Sequence, residues 1–344
     1  MQSSSASPER ITDPVTGFTY PGPWIAACSD EEGLDLVRAG LAVLTSSGMI
    51  LRRGYTTGTT AAACCKAATL SLAEEPGKVS ILTPSGIRVC VPVEATCGRA
   101  SCCKYPGDYP GDATAGIRFI AECNPAGNGI SLYPGEGIGR FTRDTPRNRK
   151  GDPAISSPAL SSILAAIQEG LGTTGLPGVS IHLRVPRGEI VAKDTLNPKL
   201  GIEGGISILG TTGLVEPWDD HLTETVMERV RTADRVVLTT GRTGLRYARL
   251  LFPGYEAVLA GSHLREALGE AKGQVILCGL PALILKFLDP EILSMTGFDT
   301  VEEFTTRPEF RARMQASFLK GKEQYPRLRV VIVDRNGNIM GDSG

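Results

Sequence analysis

The amino-acid sequence predicts an α+β and α/β protein: an N-terminal domain with a mixed or antiparallel sheet and helices, then a smaller three-layer domain with a parallel sheet. Short β-like runs separated by Pro and Gly turns fill residues 79–133, which favours the first domain. Beyond Thr232, strand-like runs alternate with helical stretches, which is typical of the second. Because 344 residues exceed what one core usually serves, we expect an N-terminal helical extension at 1–50 and domains at 51–230 and 231–344.

In the extension, Ser29 to Glu32 has the pattern of a capping box, which predicts a helix carrying Leu34, Leu36, Val37, Leu41 and Leu44. A loop then enters an alanine-rich helix that is capped by Thr59 or its neighbours and extends to Glu75. Strands are predicted at Val79–Thr83, Ile87–Val93, Gly116–Cys123, Gly129–Tyr133 and Val179–Val185, and a helix at Ser157–Leu171.

The second domain is expected to be Rossmann-like. Its strands are predicted at Arg235–Thr239, Ala257–Gly261 and Gln274–Leu277, and its helices at Gly244–Leu251 and His263–Lys272. A helix near Asp220, carrying Leu222, Val226 and Val230, precedes it. A C-terminal strand at Arg327–Val333 is followed by a turn at Asn336-Gly337.

Composition narrows the function classes. The 36 basic and 37 acidic side chains nearly cancel, so no nucleic acid partner is expected. The sequence has neither a membrane-length apolar run nor a secretory core, and we expect a cytoplasmic protein without a membrane partner. The nine cysteines are not spaced like a disulfide framework or a zinc site, so reduced thiols and no metal are expected. Signature motifs of hydrolases and NTPases are absent from the sequence.

A threonine loop, residues 55–60, places hydroxyl groups and a glycine at a predicted helix N-terminus. Backbone N–H groups and the helix dipole favour an anion there, so a ligand carboxylate would fit. The alternative is an ordinary helix cap. The binding candidates in this loop are Tyr55, Thr56, Thr57, Gly58 and Thr59.

A glycine segment from Lys193 to Trp218 surrounds a short apolar run. Its glycines permit close backbone approach or positive φ, as ligand loops often require, and the alternative is a buried strand at Ile206–Leu209 between flexible turns. A bulky residue at Thr57 or Gly205 is expected to lower ligand affinity more than stability. The candidates are Gly204, Gly205, Ser207, Gly210, Thr211, Thr212, Gly213 and Glu216.

Two weaker patterns add candidates. Gly135 to Gly139 resembles a nucleotide-binding loop, but no apolar helix follows, so we prefer a tight turn; it contributes Glu136 and Gly137. The basic run Arg140, Arg143, Arg147, Arg149 and Lys150 is a candidate clamp for a polyanionic small molecule, or else a solvated loop.

Two further loops complete the candidates. Thr240 to Gly244 follows a strand and opens a helix, where parallel sheets bind ligands, which makes Gly241 and Gly244 candidates. The loop Lys104 to Thr114 offers Asp108 and Asp112 for proton transfer, although such aspartates also stabilise turns.

Two stretches together resemble the CbiD family of cobalt-precorrin-5B C(1)-methyltransferases. They are Arg53 to Thr59 followed by Ala61 to Ala63, and Leu196 to Gly213 followed by Val215-Glu216-Pro217. Gly135 to Gly139 and Gly151 to Ile155 match family segments in the same order, so the resemblance covers about residues 52–280. It implies transfer of a methyl group from S-adenosylmethionine to ring carbon C-1 of cobalt-precorrin-5B in anaerobic cobalamin (vitamin B12) biosynthesis. The implied partner is a carboxylate-rich tetrapyrrole, and homo-oligomerisation is left open.

The sequence departs from the family in two places besides its N-terminal leader. Tyr105 and Tyr109 stand where the family has acids, and the chain after Gly279 lacks the family's Asn-Thr-His-Ser histidine. The alternative is therefore a non-catalytic or substrate-shifted tetrapyrrole-binding paralogue.

Overall fold

The computed structural model describes residues 10–109, 111–145, 148–217 and 226–344. It starts with α1 (Gly22–Ala27), α2 (Glu31–Arg38), β1 (Ala42–Leu44), β2 (Ile50–Arg52) and β3 (Gly54–Tyr55). The predicted cap at Ser29 was wrong, because Asp30 caps α2 by accepting a hydrogen bond from Gly33 N at 2.9 Å. The helix is also shorter than predicted. Gly40, with φ of 74°, follows its end, and Leu44 lies in β1, which pairs antiparallel with β2.

The next part contains a mixed five-stranded sheet, as predicted. Its elements are α3 (Thr57–Leu70), β4 (Lys78–Leu82), β5 (Arg88–Pro92), β6 (Glu94–Thr96), β7 (Arg99–Cys103), β8 (Arg118–Pro125), β9 (Gly129–Pro134), β10 (Gly137–Ile138), β11 (Arg140–Phe141), α4 (Ser157–Thr174) and β12 (Gly178–Arg184). The strand order is β6-β7-β8-β12-β9, and β12 is parallel to β9 and antiparallel to β8. Strands β6 and β7 were not predicted from the sequence, since β7 has small residues in place of β-branched ones.

Helix α3 lies between the sheet and α4. All its residues except Lys66 are buried, so a helix of small side chains fits the narrow space. Thr56 caps it, through a hydrogen bond from Thr59 N at 3.2 Å, and it ends at Leu70, short of the predicted Glu75.

Short elements connect this part to the next: α5 (Gly188–Ala192), α6 (Asn197–Leu200), β13 (Ile202–Glu203), β14 (Gly205–Ile206), β15 (Leu214–Val215) and α7 (Val226–Thr232). Only Gly205–Ile206 of the glycine segment's apolar run is a strand, parallel to β10. Strand β15 pairs antiparallel with β3. The predicted helix near Asp220 lies in its first part outside the described residues, and α7 contains Val226 and Val230.

The C-terminal part is a parallel sheet covered by helices, as predicted. Its elements are β16 (Arg235–Thr239), α8 (Arg242–Leu251), β17 (Glu256–Leu259), a 3₁₀ turn (Gly261–His263), α9 (Leu264–Glu270), β18 (Gln274–Gly279), α10 (Pro281–Leu288), α11 (Val301–Phe304), α12 (Glu309–Gln324), β19 (Leu328–Val333) and β20 (Ile339–Asp342). The order is β17-β16-β18-β19-β20, with only β20 antiparallel. The chain leaves β16 toward β17 on one side and returns to β18 on the other, so the topology switches direction between β16 and β18.

Three apolar clusters form the core. One lies within residues 61–214 and a second within residues 230–332. The third joins the N-terminal residues to the C-terminal sheet, where Phe18 and Trp24 pack with Tyr247 of α8. The N-terminal extension is therefore seated on the parallel sheet, while the domain boundaries remain a prediction. In the described part of the chain, no helix has the length and apolarity needed to cross a bilayer.

Candidate functional site

The threonine loop and the glycine segment bind each other. The Thr57 hydroxyl donates to Ser207 O at 3.0 Å and accepts from Leu209 N at 2.8 Å. The Thr59 hydroxyl donates to Gly213 O at 2.7 Å, and Gly58 N donates to Leu209 O at 2.8 Å. Groups that the sequence analysis reserved for a ligand carboxylate thus hold backbone atoms of the glycine segment. The geometry supports the alternative, a cap whose extra threonines clamp a second loop.

Three glycines from separate segments stack backbone against backbone. A Cβ at Gly205 would lie 2.1 Å from Gly137 O, one at Gly188 would lie 1.9 Å from the same oxygen, and one at Gly137 would lie 1.8 Å from Val185 O. This geometry argues against the expectation that a bulky residue at Gly205 lowers ligand affinity more than stability, because no side chain fits there. The preferred tight turn at Gly135 is confirmed, with Ile138 N donating to Gly135 O at 3.3 Å and Glu136 exposed.

Asn197, which was not predicted as a site residue, binds the glycine segment on its buried side. Its buried amide donates to Gly205 O at 2.9 Å and accepts from the Ser207 hydroxyl at 2.8 Å. Between Gly204 and Gly213 the exposed side chains are those of Leu209, Thr211 and Thr212, and Gly204 faces open space. Gly210 instead meets Thr56, and Gly213 meets Thr83. One side of the glycine segment is therefore held by hydrogen bonds and close packing, and its other side is exposed to solvent.

A buried charge triad lies where β3 and β15 pair. The Arg53 side chain is fully buried and donates to both oxygens of Asp13, at 3.0 and 2.7 Å. Its Nε donates to Glu216 Oε1 at 3.1 Å. Glu216 was predicted from the sequence as a site residue, whereas Arg53 and Asp13 were not. Arg53 opens a family motif, but no sequence pattern points to Asp13.

The two carboxylates of the triad differ. Burial alone would raise the pKa of Asp13, but its hydrogen bonds to Arg53 and the charge of Arg53 hold it below its ordinary value. Burial raises the pKa of Glu216 above its ordinary value despite the opposing charge of Arg53. Glu216 Oε2 is buried and accepts no hydrogen bond from the described residues. Burial therefore opposes ionisation of Glu216 more than the neighbouring cations favour it, whereas the reverse holds for Asp13.

The loop Lys104 to Thr114, of which Pro110 lies outside the described residues, covers β3. Asp112 is buried in an ion pair with Lys104 and accepts from Thr114 N at 2.9 Å. Asp108 is exposed and accepts from Arg52 N at 2.7 Å. Both candidate aspartates are engaged in holding the loop, which supports the turn-stabilising alternative over proton transfer.

The two tyrosines that replace family acids have different surroundings. Tyr109 is buried, whereas Tyr105 is 38% exposed and its ring centroid lies 5.4 Å from that of Tyr55. Tyr105 and Tyr55 form an aromatic pair beside the threonine loop.

Replacing Asp112 with asparagine is expected to lower the free energy of unfolding by about 3–5 kcal/mol at pH 7, because the buried ammonium group of Lys104 would lose its ion pair with this carboxylate. Burial would raise the pKa of Asp112, but the charge and hydrogen bond of Lys104 lower it. The wild-type advantage should thus be constant above about pH 5 and shrink only below about pH 4. Urea unfolding across this pH range measures it. Asp108→Asn, at an exposed position, should cost under about 1 kcal/mol; an equal loss in both variants would contradict this account.

Only some side chains of the predicted basic clamp are free to bind an anion. The Arg140 guanidinium donates to Gly151 O at 2.9 Å and Pro134 O at 3.1 Å, so it fastens the loop that follows it. Arg143, Arg149 and Lys150 are exposed, and Arg147 lies outside the described residues.

Three cysteines that lie close together in the sequence differ in exposure. Cys102 is buried, whereas Cys97 and Cys103 are exposed.

The second candidate region is the crevice at the switch point, beyond the carboxyl ends of β16 and β18. Gly241 precedes α8 and Leu280 precedes α10, and neither helix has a side-chain cap. A Cβ at Gly244 would lie 3.0 Å from Gly279 Cα, so α8 packs closely on the end of β18. Open crevices of this kind bind ligands in parallel α/β sheets. A pocket of 140 Å³ lies at the same edge, lined by Leu280, Pro281, Ala282, Glu302, Thr305, Asp334, Arg335 and Met340.

The two candidate regions are neighbours. Arg246, one turn into α8, is close enough to Glu216 for its charge to oppose the rise in the pKa of that carboxyl group. Ser46 N, from the N-terminal extension, donates to Leu250 O near the end of the same helix at 2.9 Å. Glu216, near the end of the glycine segment, is therefore within electrostatic reach of the helix that opens the crevice.

The sequence model described as CbiD matches residues 44–217. A protein of Methanoregula boonei named cobalt-precorrin-5B C(1)-methyltransferase is 56% identical over 97% of this chain and 100% of its own length. One of Methanoculleus marisnigri with the same name is 54% identical over 96% and 99%. The crystal structure of a cobalamin biosynthesis protein (cbiD) from Archaeoglobus fulgidus has 40% identity and a TM-score of 0.55, and the match covers 80% of this chain and 92% of that one.

Proposed function

Because this chain belongs to the CbiD family, we propose that it is a methyltransferase of cobalamin biosynthesis that methylates carbon C-1 of cobalt-precorrin-5B. The observation that carries the proposal is the identity of 54–56% over nearly the whole length of relatives that have this name. Their names give no support to a non-catalytic paralogue. The chain departs from the family pattern at Tyr105, at Tyr109 and after Gly279, yet it keeps this overall identity to relatives that have the name.

The methyl donor in this proposal is S-adenosylmethionine, which when bound supplies a methyl group on a positively charged sulfur. The switch-point crevice suits its binding in two respects. The uncapped N-termini of α8 and α10 offer backbone N–H groups to a carboxylate. A Cβ at Gly241 would meet no atom within 4 Å, so space for a ligand lies beside the backbone that opens α8.

The tetrapyrrole in this proposal lies over the threonine loop and the exposed side of the glycine segment. The Tyr55–Tyr105 pair and the exposed Leu209 offer apolar surface to a macrocycle. Arg143, Arg149 and Lys150 are exposed cations that suit its peripheral carboxylates. Transfer from a sulfonium to carbon needs no protein nucleophile, so the chain acts by aligning two reactants and excluding water.

The activity is tested by incubating the protein with cobalt-precorrin-5B and S-adenosylmethionine and following the tetrapyrrole by mass spectrometry. One added methyl group, located at C-1 by NMR, supports the proposal. Calorimetry with S-adenosylhomocysteine and with the tetrapyrrole tests each site separately. Tetrapyrrole binding without nucleoside binding or methyl transfer would contradict the proposal and favour a carrier.

Replacing Gly241 with aspartate is expected to weaken S-adenosylmethionine binding tenfold or more, while stability stays the same or rises slightly. Aspartate caps helices better than glycine, and its charge would occupy the N–H groups offered to the ligand carboxylate. Calorimetry and thermal unfolding give the two readouts. The matched control is Gly254→Asp at an exposed position where a Cβ also meets no atom. Unchanged affinity in Gly241→Asp would remove the donor from this crevice.

A further inference from the structure

We propose that Glu216 is the proton acceptor of the methyl-transfer reaction, and that Arg53 and Asp13 are positioning residues that hold it. This assignment rests on the proposed function. It starts from a buried polar atom with no partner among the described residues, Glu216 Oε2. Buried carboxylate oxygens are almost always hydrogen-bonded, so one left open at a ligand segment points to a group that arrives with the substrate.

The two carboxylate oxygens of Glu216 have different surroundings. Oε1 is held by Arg53 Nε at 3.1 Å, which fixes the orientation of the carboxylate. Arg53 cannot turn away, since its two terminal nitrogens bind Asp13 and Gly40 O also accepts from one of them at 3.0 Å. The buried Arg53 side chain therefore fixes the orientation in which Glu216 holds Oε2.

The charges favour a proton acceptor over a structural ion pair. Asp13 already neutralises Arg53 through a bidentate contact, so the negative charge of Glu216 is only partly compensated. The charged and titratable groups that act on it are Arg53, Asp13 and Tyr20 from the N-terminal half and Arg246 from α8. With its pKa raised by burial, this carboxylate is a stronger base than an exposed one.

The placement suits the reaction. Glu216 directly follows β15, which pairs with β3 next to the threonine loop, and the charge of Arg246 acts on it from the first turns of α8. A group at this point lies between the regions proposed for the tetrapyrrole and the methyl donor.

A proton acceptor at this point would complete the reaction. As the C–S bond breaks, its electron pair stays on sulfur, giving a neutral thioether. The new C–C bond takes an electron pair from the macrocycle, which gains the positive charge. Loss of one proton from the macrocycle restores its charge, and in our proposal Glu216 Oε2 takes that proton and later releases it to water. No oxidant or further reactant is needed.

The test compares Glu216→Gln with the wild type in single-turnover methyl transfer to cobalt-precorrin-5B. Glutamine keeps an oxygen for Arg53 but cannot accept the proton, so the rate should fall 10²- to 10⁴-fold while the affinities for both substrates stay within about threefold. Glu216→Asp should restore part of the rate. The control Glu323→Gln, on the exposed face of α12, should match the wild type.

The pH profile separates a proton acceptor from a structural role. Wild-type kcat should fall as the pH drops through the pKa of Glu216. Asp13→Asn should move this acid limb to lower pH, because the charge of Asp13 raises the pKa of Glu216. If the wild type is active and Glu216→Gln transfers methyl at the same rate, the assignment of Glu216 is overturned while the proposed function stands. The same holds if Glu216→Gln binds S-adenosylmethionine more weakly but transfers methyl at the wild-type rate. A wild type that transfers no methyl group would overturn the proposed function, and the assignment with it.

Discussion

Gly205→Ala is expected to destabilise the protein by more than about 4 kcal/mol, or to prevent folding, although it adds one methyl group. The new Cβ would lie 2.1 Å from Gly137 C and O, and both atoms belong to backbone that is itself fixed against Val185 and Gly188. Main chain cannot move aside as a flexible side chain can, so the overlap has no inexpensive relief.

The measurement is the urea midpoint, with the yield of folded protein as a second readout. The matched control is Gly172→Ala on the exposed side of α4, where a Cβ meets no atom within 4 Å and alanine favours the helix. This variant should be as stable as the wild type or gain up to about 1 kcal/mol. A folded Gly205→Ala protein of normal stability would show that the glycine stack is not close-packed.

Arg53→Met is expected to cost about 3–5 kcal/mol of unfolding free energy at pH 7.5, because Asp13 and Glu216 would be left buried without their cation. Burial would then raise the pKa of both carboxyl groups. A raised pKa favours the protonated native state, so the deficit should shrink as the pH falls toward 5.

Chemical unfolding at pH 5 and pH 7.5 measures this difference. Arg52→Met, at the exposed neighbouring position, is the control and should change stability by less than about 0.5 kcal/mol at either pH. The double variant Asp13→Asn with Arg53→Met should recover part of the loss. A loss that is the same at both pH values would mean that Arg53 acts through packing alone.

Local patterns predicted the two sheets. Strands β4, β5 and β8 alternate buried and exposed residues, and β16 and β18 are apolar runs, so each has a period that is readable along the chain. Strand β7 was missed because its residues Arg99-Ala100-Ser101-Cys102-Cys103 show no β-branched preference; it is a strand because β8 pairs with it.

The segments of the candidate site were predicted from the sequence, and the structure shows which of these segments contact one another. Motifs that are continuous in sequence, such as Thr56–Thr59 and Gly204–Gly213, were recognised as belonging together and to the CbiD family. Their glycines and hydroxyl groups had two readings, ligand contact or internal clamp, and the chain alone did not distinguish them. The hydrogen bond from Thr57 to Ser207 O, across 150 positions, supports the clamp.

The sequence by itself therefore determined the fold class, the family and the segments that form the site, since each of these depends on local periodicity or on a continuous motif. Only the tertiary structure decided that Arg53 meets Asp13 and Glu216, which are 40 positions before it and 163 after it. It also decided that Gly205 touches Gly137. The physical reason is that ion pairing and backbone contact depend on where distant segments cross, and no local pattern of residues encodes that crossing.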